Sequence, residues 1–334
     1  MKIYTIRDIA QMAGVSVATV SRVLNDRPDV NAATREKVNR VIKDCHFVGN
    51  ASARSLKQTD GDTIAIILRG RSNPFLNSVV ESLLHYGHDR KATFITEYID
   101  ERDDEFQTAV QLSRTRRMSG FVFLGGSIDS RAKVLSKLDC PMVFVTATAE
   151  DTPLSQVSSV CVDDRTAAAT AVRLLLDRGH RKIAVFGGRP IGSDSMAHRY
   201  QGAVDAFLEK GLTFDESRYV ETRFSHSGGY DAARAFFSVK SDTTAVFCMS
   251  DSMAMGVMRA LSDLGLRVPE DVSIVGFDGL DICNYTQPRL TTIEQPVDEL
   301  ARQSINVLMD MLENAQPPRH LKLDGHLRIR ESVR

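Results

Sequence analysis

The sequence predicts a small all-α head with a short hinge, joined to an α/β body of two doubly wound lobes. Residues Thr5 to Asn25, "TIRDIAQMAGVSVATVSRVLN", hold two short amphipathic helical patterns joined across Ala13-Gly14-Val15. From Thr63 onward, short apolar runs alternate with helical stretches, the pattern of a parallel sheet covered by helices on both faces. Charge divides at the same boundary. Residues 1–59 hold ten Lys/Arg against five Asp/Glu and the remainder 32 against 38, so a net charge of -1 conceals a head of +5 and a body of -6. A basic head on an acidic body points to a polyanionic partner for the head alone.

The length of 334 residues exceeds what one core supports, and 43% hydrophobic with 25% charged residues is a globular composition. No segment approaches the apolar length of a membrane span. Met1-Lys2-Ile3-Tyr4-Thr5 runs into a charged amphipathic helix without the core of a secretion signal, so the expected setting is cytoplasmic. The five cysteines, Cys45, Cys140, Cys161, Cys248 and Cys283, are scattered and never spaced as CxxC. They read as reduced thiols, mostly buried as small hydrophobes. Cys45-His46 lacks further ligands, and neither a metal nor a cofactor is expected.

Element by element, Thr5 and Asp8 form a capping pair that starts a helix at Ile6, with Ile6, Ile9, Ala10 and Ala13 on one face. Gly14 supplies a left-handed stop. Ser16 caps a second helix that turns Val20, Val23 and Leu24 to the core and Val17, Ala18, Ser21 and Arg22 outward. That outward face is short and hydrogen-bonding, with one long cation. It fits a major groove, where Arg pairs bidentately with guanine and Val or Ala lies against a thymine methyl. This is the second helix of a helix-turn-helix. Thr5, Ser16, Thr19 and Asn25 complete the expected DNA-facing set. Asn31 caps a third helix, "NAATREKVNRVIKD", in which Val38, Val41 and Ile42 close the core while Thr34, Arg35 and Lys37 lie near the phosphates.

The run "GVSVATVSRVLN", followed by "TREKV" and then "NASARSLK", closely resembles the lactose/galactose repressor (LacI/GalR) family of bacterial transcription regulators, and the similarity extends along essentially the whole chain. The resemblance implies a head over residues 1–49 and a hinge helix with linker over 50–60. "NASARSLK" is too short to be a stable helix alone. In the family, matching segments of two subunits pair in the minor groove and wedge leucines into the central base step. Here Leu56 takes that role, flanked by Asn50, Ala53 and Arg54, and the unstacking is offset by contacts that bent DNA permits. The family's usual proline before the asparagine is Gly49 in this chain.

In the body, "TIAIIL", "TFITEYI", "GFVFLG" and "PMVFV" read as one set of strands and "SVCVD", "KIAVFG", "TAVFCMS" and "VSIVGFD" as another. Crossovers fall near Cys161, near Leu290-Thr291-Thr292 and within "HLKLDGHLRIRES". The resemblance assigns residues 61–161 plus 294–322 to the first lobe and 162–293 plus 323–334 to the second, a periplasmic-binding-protein-like clamshell.

Ligands of open parallel sheets bind beyond the carboxyl ends of the strands. Those ends are "RGRSNPF", Gly125-Gly126-Ser127, "GGRPIGSDSMAHRYQG", Phe224, Ser250-Asp251 and Asp278. Arg199, Asp251 and Asp278 suit vicinal hydroxyls, because a guanidinium donates in pairs and carboxylates accept in pairs. Phe75 and Phe224 offer flat apolar faces to a sugar ring. The resemblance places Arg199, Asp278 and the Asn73-Pro74-Phe75 segment in the effector site, with Ser127 as a further candidate. Two alternatives stay open: Asp251 can instead cap its helix, and Phe75 can instead be lobe core. The family often carries Asn where this chain has Ser250, and an Asp-Arg pair where it has Thr146-Ala147.

An enzyme is not expected. "FGGRPIG" follows a strand but is not GxGxxG, and there is no GxSxG elbow, HExxH or P-loop. The expectation is a sugar- or sugar-phosphate-responsive repressor of carbohydrate genes, a homodimer or higher oligomer on pseudo-palindromic operator DNA at the bacterial nucleoid, with no membrane partner. A catabolite-control-type regulator answering to a phosphorylated carrier protein, and an architectural DNA-bending protein without an effector, are the alternatives.

Overall fold

The structure is a computed structural model that describes residues 6–24, 30–45, 62–70, 73–90, 92–100, 103–126, 128, 130–190, 195–239 and 242–334. The chain divides into two compact units, Met1–Asp60 and Gly61–Arg334.

The first unit contains α1 (Ile6–Ala13), α2 (Val17–Leu24) and α3 (Ala32–Asp44). Gly14 adopts φ +61°, where a side chain would be strained, and this closes α1: Gly14 N–H donates to Gln11 and Val15 N–H to Ala10. Ser16 Oγ accepts the Thr19 N–H at 3.1 Å and so caps α2, and Asn31 Oδ1 accepts the Thr34 N–H at 2.8 Å and so caps α3. Ile9, Ala10, Ala13, Val20, Val23 and Val38 form the buried core. The cap expected at Thr5, the core position of the Leu24 side chain and the whole hinge segment lie outside the described residues.

The second unit holds two six-stranded sheets. The first contains β1 (Thr63–Arg69), β2 (Thr93–Ile99), β3 (Gly120–Leu124), β4 (Met142–Val145), β5 (Val157–Val162) and β11 (His320–Leu323), in the order β2-β1-β3-β4-β5-β11, all parallel. The second contains β6 (Ile183–Gly187), β7 (Tyr219–Glu221), β8 (Ala245–Cys248), β9 (Ser273–Asp278), β10 (Thr291–Glu294) and β12 (His326–Arg328), in the order β7-β6-β8-β9-β10-β12. Only β12 is antiparallel to its neighbour. Each sheet therefore reverses direction of growth beside its first strand, the switch point at which such sheets bind ligands.

Alternation decides which helices cover which face. Ile64, Ile66, Leu68, Val122 and Val143 face a core shared with α4 (Pro74–His88) and α10 (Val297–Asn314), whereas Ala65, Ile67, Phe121, Phe123 and Phe144 face α5 (Glu105–Thr115). In the second sheet, Ile183, Val185, Phe247 and Val275 share a core with α6 (Asp164–Asp177) and α7 (Ser195–Glu209). Ala184, Phe186, Val246 and Ile274 pack on the other face against α8 (His226–Phe237) and α9 (Asp251–Asp263). The chain passes between sheets after β5, after β10 and between β11 and β12. Of these elements, β7 and β12, at three residues each, are too short to show a period in the sequence.

At Gly202, in α7, an added Cβ would stand 2.0 Å from the Arg165 carbonyl oxygen of α6. The two helices thus approach backbone to backbone, which brings the start of α7 beside the start of α6. All five cysteines are free thiols, and no helix among the described residues is long and apolar enough to cross a membrane.

Candidate functional site

The head presents the outward side of α2. Val17 is 42% exposed, Ala18 and Arg22 are exposed, and Thr19 and Ser21 are half-buried at its edge. Ser16 Oγ, besides capping, lies 2.9 Å from Thr19 Oγ1, so these two hydroxyls orient one another. On α3, Thr34 and Arg35 are half-buried and Lys37 is exposed. Asn25, Asn50, Ala53, Arg54 and Leu56, like Thr5, lie outside the described residues.

The body holds a cavity of about 460 Å³ at the carboxyl ends of both sheets. Arg69, Gly70, Asn73, Phe75, Gly125, Gly126 and Thr146 line it from the first sheet, and Gly188, Arg189, Arg199, Arg223, Phe224 and Asp278 from the second. Of the expected effector residues, Asn73, Phe75, Arg199, Phe224 and Asp278 come together here. Ser127 lies outside the described residues.

Arg199 is the fixed point of the cavity, although only 5% exposed. Its Nε donates to Asp164 Oδ1 at 2.7 Å, its Nη1 donates to the Met249 carbonyl at 2.6 Å, and Nη1 lies 4.0 Å from Asp278 Oδ1. Beneath it the Phe277 ring centroid is 3.7 Å from Cζ, a cation–π contact that holds the guanidinium plane. Burial pushes the Asp164 and Asp278 carboxyls up, and the Arg199 charge pulls both back. Nε and Nη1 are thus both engaged, and Arg199 lines the cavity.

Asp278 ends β9 with φ +121°, a backbone that L side chains rarely adopt. Its Oδ1 accepts from Gln295 Nε2 at 2.9 Å, and its carbonyl accepts the Gln295 N–H. Strain held this way at a cavity wall fixes the direction of the carboxylate. Asn73 Oδ1 accepts the N–H groups of Phe75 at 3.0 Å and Leu76 at 3.4 Å, capping α4 while its residue lines the cavity. Phe75 is 3% exposed in the core and also lines the cavity.

Asp251 is a correction. It is 0% exposed and is not among the cavity-lining residues. The α9 cap is Ser250, whose Oγ accepts the Met253 N–H at 3.2 Å, so Asp251 is not the cap either. Its carboxylate instead accepts from Thr292 Oγ1 at 2.6 Å and from the Leu280 N–H at 2.8 Å, tying α9 to the ends of β9 and β10. Burial pushes it up to about 6 against those hydrogen bonds.

Three groups escaped sequence reasoning. Asp164 follows the α6 cap Asp163, and a second acid at a helix start carries no sign that its carboxylate turns inward. Ser195 Oγ donates to the Thr146 carbonyl at 2.6 Å, joining the first turn of α7 to the end of β4 across the cavity. Arg69, at the end of β1, lies 3.5 Å from the buried carboxylate of Glu105.

A three-helix head with a small polar α2 face and a two-sheet body around a polar cavity together define a DNA-binding regulator with a ligand-responsive body. Residues 5–50 match bacterial regulatory proteins of the lacI family, and residues 172–333 match a periplasmic binding protein-like domain. The chain is 32% identical over 331 residues to the HTH-type transcriptional regulator MalR of Clostridium butyricum, covering 98% of each chain. It is 30% identical to the HTH-type transcriptional repressor PurR of Photobacterium profundum, over 99% of this chain and 98% of that one. A solved structure described as a complex of the transcriptional regulator CelR with cellobiose is similar at a TM-score of 0.74 and 29% identity, over 98% of this chain and 99% of that one.

The chain belongs to the lacI family of bacterial regulatory proteins. It is a DNA-binding transcription regulator with a body for a small-molecule effector, and its relatives are named as regulators and repressors rather than enzymes.

Proposed function

We propose that the protein represses carbohydrate genes by binding a pseudo-palindromic operator as a dimer, and that a ligand of the sugar class in the body cavity sets its DNA affinity. The observation that carries this is Arg199, fixed by Asp164, Met249 and Phe277 at the cavity wall beside Asp278. A paired donor and acceptor of this kind suits adjacent hydroxyls, and Phe224 supplies an apolar wall for a ring face. The cellobiose complex named above supports the same class. A cavity so furnished also counts against a purely architectural DNA-bending role.

The mechanism is linkage: a ligand changes operator affinity only by binding one arrangement of the body better than another. The segment from Asn50 to Lys57, between head and body in sequence, is the proposed element that responds.

The test is operator binding by the full chain, with and without a panel of sugars. Arg199→Ala is expected to retain operator binding without ligand and to lose the response to it. A normal response would show that the ligand sits elsewhere. Arg22→Ala is expected to weaken operator binding by about 1–3 kcal/mol and to relax specificity at one base pair. Equal losses on every DNA sequence would remove Arg22 from base readout.

A further inference from the structure

The cavity carries more positive charge than hydroxyl recognition requires. Arg199 is balanced by Asp164 and Asp278, and Arg69 by Glu105. Arg189 and Arg223 also line the cavity, and both are exposed. Their placement follows from strand register. Gly187 of β6 pairs with Glu221 of β7, and the ladder continues one step further, where the Thr222 N–H donates to the Gly187 carbonyl at 2.8 Å. Arg189 and Arg223 each stand two residues beyond that pair, in the segments that leave β6 and β7 at the cavity. Among the described residues, neither guanidinium has a carboxylate within ion-pair distance, whereas Arg199 and Arg218 of the same lobe have two each.

Like charges lining one cavity repel. An anion between them reverses the sign of that interaction, and guanidinium forks match the oxygens of phosphate and carboxylate. Arg69 faces the same space from the first sheet, its charge held by the buried Glu105 carboxylate behind it.

Building on the sugar reading above, we infer that the ligand is an anionic sugar derivative, its phosphate or carboxylate group bound by Arg189 and Arg223 with Arg69 opposite and its hydroxyls by Arg199 and Asp278. Binding of the charged group across the two sheets draws the walls together, so the charge itself contributes to the signal.

The experiment is calorimetric titration of the full chain with matched sets: glucose, glucose 6-phosphate and glucuronate; ribose and ribose 5-phosphate; fructose and fructose 1-phosphate; and inorganic phosphate alone. At least one charged sugar is expected to bind ten-fold or more tightly than its neutral parent, and preference for the ester or the acid identifies the anion. In the Arg189→Gln/Arg223→Gln protein that preference should fall at least ten-fold, while Arg189→Lys/Arg223→Lys should retain part of it. A neutral parent that binds as tightly as its charged forms, or a preference unchanged in the glutamine variant, overturns the inference. If no sugar of either kind binds, the sugar reading fails, and inorganic phosphate judges the anion site separately. Millimolar phosphate binding lost in the glutamine variant sustains the site, and its absence in the unaltered protein overturns it.

Discussion

The first and second sheets run their strands in the same order, yet the walls they turn to the cavity differ in kind. The first offers mostly backbone and shape, with the single cation Arg69: Gly125, Gly126, Phe75, and an Asn73 whose side-chain oxygen is already engaged in capping α4. The second offers more charge: Arg199 between two buried acids, Asp278 held in a strained backbone, and Arg189 and Arg223 beyond the ends of β6 and β7. One topology thus supplies two walls of different chemistry, one rich in charge and the other largely backbone and apolar surface. The difference arises at α6 and α7, whose close approach at Gly202 puts a buried ion pair at the head of the second lobe. The first lobe has its buried acid too, Glu105, but the Arg69 it faces keeps more of its side chain in solvent.

The strongest way to break this contrast is to push α6 and α7 apart. In Gly202→Val the added carbons have no room beside the Arg165 carbonyl, so a loss of about 3 kcal/mol is expected in denaturant unfolding, together with loss of ligand binding. Stability within 0.5 kcal/mol of the parent, by contrast, would mean that the helix contact does not position Arg199.

A smaller effect sharpens the contrast through pH. The Asp251 carboxyl rises to about 6 on folding, so the native state holds its proton more tightly than the unfolded chain does. Its contribution to stability is therefore present below about pH 4 and is lost as pH rises to about 6. Asp251→Asn has no such loss. Its stability relative to the parent is expected to improve by about 2–3 kcal/mol between pH 4 and pH 7, measured as the difference in unfolding free energy. A constant difference across that range would show that Asp251 does not titrate there.

Why some of this was legible and some was not follows from where the information lies. The head is written locally: Gly14, the Ser16 and Asn31 caps and the apolar spacing act within a few residues, and α1 to α3 follow from them. The long body strands are equally plain, because buried parallel strands are runs of Val, Ile, Ala and Phe such as "TIAIIL" and "GFVFLG". The edge strands β7 and β12 are three residues each, too short for the sequence to fix their bounds, and pairing sets them.

At the cavity, Arg199 stood out as a cation where a strand end leads into a helix. Asp164 did not, because its partner is 35 positions away and only packing brings the two together. Asp251 was misplaced for a related reason. A carboxylate at a helix start suits a cap or a cleft equally, and Ser250 took the cap while the loop after β9 and Thr292 of β10 took the acid. The equal offsets of Arg189 and Arg223 from Gly187 and Glu221 become visible only once β6 and β7 are paired.

On the proposed function, the cavity and the DNA-binding surface report on one equilibrium. The direct measurement is the affinity of the full chain for its sugar-class ligand in the absence of operator DNA and at saturating operator. Linkage requires that operator change ligand affinity by the same factor by which ligand changes operator affinity. The expectation is two equal factors, each about five-fold or larger. Ligand affinity that is the same with and without operator would contradict it, leaving a DNA-binding head and a ligand-binding body that act independently.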